Sequence, residues 1–277
     1  LGPEARARLP QLPGPSAAAV PQFYVSVDGT GVPMVRPELA GRKGRGPAGQ
    51  AKTREVKLAA LFTQRTTDAE GHPVRDPDST TYLGSFAASD DFGLTVRAAA
   101  LRRGLVQADT VIYLGDGAAW VWEVARTCFP QAVQILDYYH ASEHVGALAR
   151  ALYADAGCAQ NWAVRWRALL YDSELDVLLA EARAAAGTPL SEAAQGELAY
   201  LERNRERMDY RRYRQAGWFI GSGVVEAGCK RVLGQRLKES GMFWTEVGAT
   251  AVLSLRCALL SAGGWDQLWS QPWRQAA

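Results

Sequence analysis

Three carboxylates stand out by their settings. Asp28 follows the strand-like run Phe23–Val27, Asp116 comes two residues after the apolar run Val111–Leu114, and Glu226 lies in the first turn of an amphipathic helical pattern opened by Gly221-Ser222-Gly223. Acids fixed at strand ends and on a helix form a hard oxygen-ligand set. Three of them can seat two Mg2+ (or Mn2+) ions about 3.5–4 Å apart, which clamps the attacking and leaving oxygens of an in-line phosphoryl displacement. A fourth acid, Asp137, ends the run Ala132–Leu136, and His140 follows it by three residues. Each acid alone has a plainer reading. Asp28-Gly29 between two strand-like runs signals a hairpin turn, Asp116 before Gly117 can cap the next helix, and an acid in a first turn favours the helix dipole. Their order along one strand-and-helix pattern is what joins them.

A rival chemistry overlaps the same stretch. His140-Ala141-Ser142-Glu143-His144 matches H-x-x-E-H, in which two histidines one helical turn apart bind Zn2+ and the glutamate is the general base of a metalloprotease. Glu226 could then serve as a distant third ligand. That reading leaves Asp28 and Asp116 without a role. His144 reads more simply as a helix-surface or capping residue. His140 is expected near the acids, where its imidazole could meet a scissile phosphate, and His72 falls in a polar loop.

The positioning elements follow from periodicity. Thr110–His144 reads as strand, helix, strand with an acid after each strand, and in open α/β sheets ligands collect at those carboxyl ends. Upstream, residues 1–20 read as a Pro/Gly/Ala linker. Phe23–Val27 and Val32–Val35 form a hairpin, Gly41–Gln50 a flexible basic loop, and Glu55–Thr63 a third strand. Gln64–Thr80 reads as a solvent loop, and Asp90 or Asp91 caps a helix carrying Phe92, Val96, Ala99 and Ala100. Ala141–Ala216 is almost wholly helical. Val224–Glu239, with Ser222 as cap, and Trp244–Leu260 are further helices, and the Trp265, Trp269 and Trp273 end packs back on the body. The expected division is a linker (1–20), an α/β core (21–145), a helical insertion (146–216), the rest of the core with Glu226 (217–262) and a Trp-rich tail (263–277).

At 277 residues, 48% hydrophobic and 22% charged, the composition is that of a folded soluble protein. The best membrane candidate, Ala249–Leu260, is short of the roughly 20 residues a span needs and is broken by Arg256. The chain opens at Leu1 without methionine, which reads as a fragment of a longer protein. Cys128, Cys158, Cys229 and Cys257 are widely spaced, as buried thiols of a reducing compartment. Net charge is +2, yet the cations cluster. Arg42, Lys43, Arg45, Lys52, Arg54 and Lys57 form one group. A second runs through Arg203, Arg205, Arg207, Arg211, Arg212 and Arg214 and continues with Lys230, Arg231, Arg236 and Lys238. Such stripes suit a polyanion, although many charge runs are solvated faces.

VSVDGTGVPM at Val25–Met34, LGDGAAWVW at Leu114–Trp122, the Asp137-Tyr138-Tyr139-His140 element and GSGVVEAGCKRVLGQRLKESGMFWT at Gly221–Thr245 resemble the motifs of bacterial insertion-sequence DDE transposases of the Kra group, related to the Mutator-like superfamily. The resemblance runs from about Tyr24 to Leu260. It implies an α/β, ribonuclease-H-like mixed sheet flanked by helices, with an all-helical insertion between the second Asp and the Glu. It implies DNA end cleavage and 3′-hydroxyl strand transfer, with Asp28, Asp116 and Glu226 as ligands of two Mg2+ or Mn2+ ions and Asp137 and His140 as an accessory catalytic pair. The expected partner is double-stranded DNA, bound by a homo-oligomer on the nucleoid in the bacterial cytoplasm. Contacts would come from Arg42, Lys43, Arg45, Lys52, Arg54, Lys57, Lys230, Arg231, Arg236 and Lys238, with Trp244 stacking on an unpaired base near the cut. The family's amino-terminal region is not in this sequence, so a non-catalytic DNA-binding remnant stands as a third reading beside the zinc protease.

Overall fold

Two long strands set the sheet. In a computed structural model that describes residues 20–44, 51–185 and 190–270, β1 (Val20–Pro33) and β2 (Thr53–Thr67) pair antiparallel from Gln22 opposite Gln64 to Pro33 opposite Thr53. On the other side of β2 lie β3 (Pro73–Arg75) and β4 (Thr81–Ser85), both antiparallel to it. On the other side of β1 lies β5 (Ala108–Gly115), parallel to it, and then β6 (Val133–Leu136), parallel to β5. The sheet is therefore mixed and six-stranded, in the order β3-β2-β1-β5-β6 with β4 also on β2, and helices flank it.

The run Val56–Gln64 in β2 is buried without alternation because both faces of the strand are covered. Ala59 and Leu61 face a large core with Val25 and Val27 of β1 and residues of α1 (Ser89–Arg102), α2 (Ala119–Cys128) and α3 (Tyr138–Leu152). Leu58 and Ala60 face a second core closed by a helix in three parts: α8 (Gly223–Gly228), a π-helical segment (Cys229–Gly234) and α9 (Gln235–Leu237). The helix α10 (Glu246–Leu260) completes that layer. Between α3 and α8 come α4 (Ala156–Tyr171), α5 (Leu175–Ala185), α6 (Glu192–Arg203) and α7 (Tyr210–Gln215), and α11 (Gly264–Ser270) ends the described chain. Helix α3 runs unbroken across residues 145 and 146, so the helical insertion grows out of a core helix.

Several local expectations give way to tertiary structure. No hairpin forms at Asp28-Gly29. Both residues stay in β1, opposite Leu58 and Lys57, and neither has the positive φ that a two-residue turn would need. Glycine at position 29 serves crowding instead, since a Cβ there would lie 2.6 Å from Glu55 Oε1 and 3.3 Å from Trp120. The expected loop at 64–80 holds the end of β2 and all of β3. The buried Asp76 folds it back by accepting from Thr63 Oγ1 at 2.6 Å and from the Arg65 amide at 3.0 Å. Asp90 and Asp91 sit inside the first turn of α1, where Ala88 is the N-cap. Trp265 and Trp269 meet each other edge-on at 5.4 Å on α11, which packs against α10, and both keep a large part of their surface exposed. Trp273 and residues 1–19 lie outside the described residues. Among the described residues no single helix is long and apolar enough to cross a membrane. The four thiols are free, with Cys128 and Cys257 buried and Cys158 and Cys229 only partly so.

Candidate functional site

Strand register does the first part of the positioning. Ser26 pairs with Leu114, and Gly115 pairs with Leu136. Continued past the last paired residues, these ladders bring Asp28, within β1, level with Asp116 and Asp137, which follow the carboxyl ends of β5 and β6, on three neighbouring strands that run about 4.8 Å apart. Helix α8 packs across this end and adds Glu226. Asp28, Asp116, Glu226 and His140 line one cavity of about 290 Å³, together with Tyr139, Glu143 and Ser222. Three acids far apart in sequence thus converge, as their types and spacing led us to expect.

Each is held differently. Asp28 Oδ1 accepts from the Gly29 amide at 2.6 Å, and Oδ2 accepts from the Cys229 thiol at 3.2 Å. Burial pushes the Asp28 carboxyl above the ordinary aspartate range, the Cys229 hydrogen bond opposes that, and the charges of Asp116 and Glu226 push it further up. The site is therefore a place where negative charge is crowded and a cation would be stabilising. Asp116 Oδ1 accepts from the Ala118 amide at 3.0 Å, while its main-chain carbonyl accepts from Tyr200 Oη at 2.9 Å. Gly117 makes that contact possible. Its φ is +95°, and a Cβ there would stand 2.3 Å from Tyr200 Oη. Glu226 Oε1 accepts from Ser222 Oγ at 2.9 Å. Ser222, expected as a side-chain cap of the helix, makes no such cap bond.

Asp137 departs from expectation. It is 1% exposed, its Oδ1 accepts from the His140 amide at 2.7 Å, and its Oδ2 accepts from the Ser222 amide. It caps α3 and ties that helix to the entry of α8, and it does not line the cavity. Its expected accessory catalytic role therefore becomes a positioning one. His140 does reach the cavity, with Nδ1 3.8 Å from Glu143. His144 is committed elsewhere. Its Nδ1 lies 2.6 Å from Glu197 Oε2, and its ring stacks on Tyr200 at 3.6 Å.

That disposition disfavours the zinc motif. The His140 and His144 rings are 5.0 Å apart at 73°, and among the described residues they bring no third ligand atom within 4.8 Å of both. The single trio of ligand-bearing side chains that meets this spacing among the described residues is Asp68, Glu70 and His72, exposed in the turn between β2 and β3. There Asp68 Oδ1 accepts from the Glu70 and His72 amides, so the cluster is explained by the turn itself. Asp28, Asp116 and Glu226 are set more widely than that trio.

The cations divide. Arg42, Lys43 and Lys52 line a groove of about 680 Å³ with Gly29 and Thr30, next to Asp28, and none has an ion pair among the described residues. Lys238 donates to Thr30 Oγ1 at the same groove, and Lys230, Arg231 and Arg236 are exposed on the helix beyond Glu226. Arg54 and Lys57 are corrected to structural roles. Arg54 pairs with Glu246 and, at 3.7 Å, with Glu38. Lys57 pairs with Glu55 at 3.1 Å and donates to the Ala87 carbonyl at 3.2 Å. Arg45 lies outside the described residues. The second run is also spent internally: Arg205 on Asp176, Arg211 on Glu174, Arg212 on Asp209 and Arg214 on Asp172, while Arg207 lies 4.4 Å over Trp122. Trp244 packs against the second core and donates Nε1 to the Leu237 carbonyl at 3.2 Å, the role of a core indole.

Sequence reasoning passed over Tyr200, Tyr139 and the polar use of Cys229. Only Cys229 carried a local signal, since it lies three residues after Glu226 and so shares its helix face. No protein-family model matches this chain, and no curated protein shows significant similarity to it.

Proposed function

We propose that the protein is the catalytic part of a DDE transposase, cleaving and joining double-stranded DNA by metal-dependent phosphoryl transfer on a ribonuclease-H-like sheet. The reading is supported by the strand order. An antiparallel β3-β2-β1 half carries the first acid on its central-most strand, and a parallel β5-β6 half carries the second at its edge of the same row. The single observation that carries the function is the shared cavity of Asp28, Asp116, Glu226 and His140.

Divalent ions suit this site. Its acids offer carboxylate oxygens, and Asp28 is held protonation-prone by burial and by two neighbouring acids, a charge imbalance that a hard cation relieves. Asp28, Asp116 and Glu226 would hold the ions. Bound there, Mg2+ or Mn2+ supplies Lewis-acid stabilisation of the attacking and leaving oxygens. Tyr200 and Gly117 fix the strand end that presents Asp116, Ser222 orients Glu226, and His140 offers its imidazole to the phosphate or to a proton in transit. Arg42, Lys43 and Lys52 guide the DNA backbone towards Asp28 without reading sequence. A homo-oligomer on the nucleoid in the bacterial cytoplasm completes the proposal.

Nicking of supercoiled plasmid tests the chemistry without knowledge of the end sequence. The protein should nick in Mg2+ or Mn2+ and not in chelator, and Asp28→Asn and Glu226→Gln should each lower the rate by roughly 10²–10³-fold. Absence of nicking by the folded wild type would leave the DNA-binding remnant as the surviving reading.

A further inference from the structure

A larger cleft of about 720 Å³ adjoins the carboxylate cavity, and Tyr139 lines both. Its volume falls within the roughly 300–1,000 Å³ of ordinary ligand sites. Its walls are aromatic. Tyr138 meets Tyr139 edge-on at 5.6 Å and Tyr171 at 5.4 Å, and Trp218 is stacked on Tyr213 at 6.1 Å. These rings are braced. Arg214 lies 3.5 Å over the Tyr171 ring, and Tyr138 is held edge-on to the buried Tyr210 at 5.2 Å. Tyr139 rests over Gly221, where a Cβ would come within 2.8 Å of its ring. Even so, Tyr139 is 66% exposed and Tyr171 38%. Large rings held rigidly in solvent cost hydration free energy that a planar partner would recover. The basic side chains of the rim are already partnered, Arg211 with Glu174, Arg214 with Asp172 and His72 with Asp68, so the aromatic faces are what the cleft offers an occupant.

We propose that this cleft receives an unstacked base from the DNA strand whose backbone passes through the carboxylate cavity. This rests on reading that cavity as a phosphodiester site. The shared wall at Tyr139 puts the occupant within a nucleotide's reach of the acids, and rigid aromatic faces match a base. Bases inside a duplex hide their faces, so the ligand is a single-stranded or flipped nucleotide, and stacking makes recognition tolerant of base identity.

The test compares a labelled oligothymidylate with an abasic oligomer of equal length, binding to the full chain in chelator and followed by fluorescence anisotropy. The wild type should bind the thymidylate roughly tenfold or more tightly than the abasic strand, the scale of one stacked base. Tyr139→Ala and Tyr171→Ala should each close that gap, Tyr171→Ala with abasic binding unchanged, and Tyr171→Phe, which keeps the ring, should retain it. Equal affinity of the wild type for both strands overturns the proposal. So does a gap that survives both alanine variants. Plasmid nicking on the same preparation separates the two readings: nicking without the gap overturns the cleft assignment alone, and the gap without nicking overturns the nuclease reading.

Discussion

Asp116 and Asp137 end adjacent parallel strands and look alike in sequence, yet the molecule uses them in opposite ways. Asp116 gives Oδ1 to the Ala118 amide and lines the carboxylate cavity. Asp137 is buried with an amide on each oxygen, and it joins α3 to the start of α8. A strand end therefore supplies a position, and the lone pairs left free decide whether chemistry follows. The cations repeat the lesson. Arg42, Lys43 and Lys52 form no ion pair among the described residues and border Asp28, whereas Arg205, Arg211, Arg212 and Arg214 each face an acid within the helical insertion.

Exchanging the two aspartates' chemistry should break the symmetry most sharply. Asp116→Asn should slow metal-dependent nicking by roughly 10²–10³-fold with little change in melting temperature. Asp137→Ala should instead destabilise the fold by about 2 kcal/mol or more, since it removes a helix cap and leaves two buried amides unpaired. Thermal unfolding beside a nicking assay reads both. A well-folded Asp137→Asn protein with no activity would return Asp137 to the catalytic group.

The support of Asp116 sets the next scale. Tyr200→Phe removes the hydrogen bond to the Asp116 carbonyl, and nicking should fall by about 10–100-fold, the usual effect of losing a group that orients a ligand. Gly117→Ala should do at least as much and also lower stability, because its backbone is left-handed and the space is filled by Tyr200. Retained activity in both would show that Asp116 needs no such anchor.

For the cations the contrast appears in salt dependence. Replacing Arg42, Lys43 and Lys52 together by alanine should weaken DNA binding and flatten the plot of log affinity against log salt by about 0.9 for each phosphate no longer neutralised. Arg205→Ala and Arg212→Ala should leave that slope unchanged. Equal slopes across the two sets would erase the distinction.

The smallest effect concerns Asp28. Its folded carboxyl is raised by burial and by Asp116 and Glu226, so between the unfolded value of about 3.9 and the raised folded value the native state binds more protons than the unfolded chain. In chelator, stability contributed by this group is complete below that window and is lost as pH rises through it. Asp28→Asn should remove this dependence and slightly raise the melting temperature at neutral pH. A pH profile identical to the wild type would mean the carboxyl is not strained.

Much of this site was legible from residue types. The runs ending at Asp116 and Asp137 are short, apolar and local, and the helical stripe after Ser222 marks where Glu226 must sit. What escaped depends on distant partners. Asp137 is held by the Ser222 amide, 85 residues away, and Asp116 is anchored by Tyr200, 84 residues away, neither of which leaves a local pattern. Asp28-Gly29 reads as a turn because that signal is local, but β2 is long enough to pair with both sides of it. The strands β3 and β4 are short and partly exposed, and they exist because β2 offers them an edge. The arginines of the insertion looked free for the same reason, since Asp172, Glu174 and Asp176 sit in another part of the helical insertion.

The central claim is that Asp28, Asp116 and Glu226 act together as a cation site while Asp137 does not. Titration of the chelator-treated protein with Mn2+, followed by electron paramagnetic resonance of the free ion, addresses it directly. We expect about two ions per chain, with binding abolished in Asp28→Asn and Asp116→Asn and kept in Asp137→Asn. Absence of binding by the wild type, or binding that Asp116→Asn leaves intact, would contradict it.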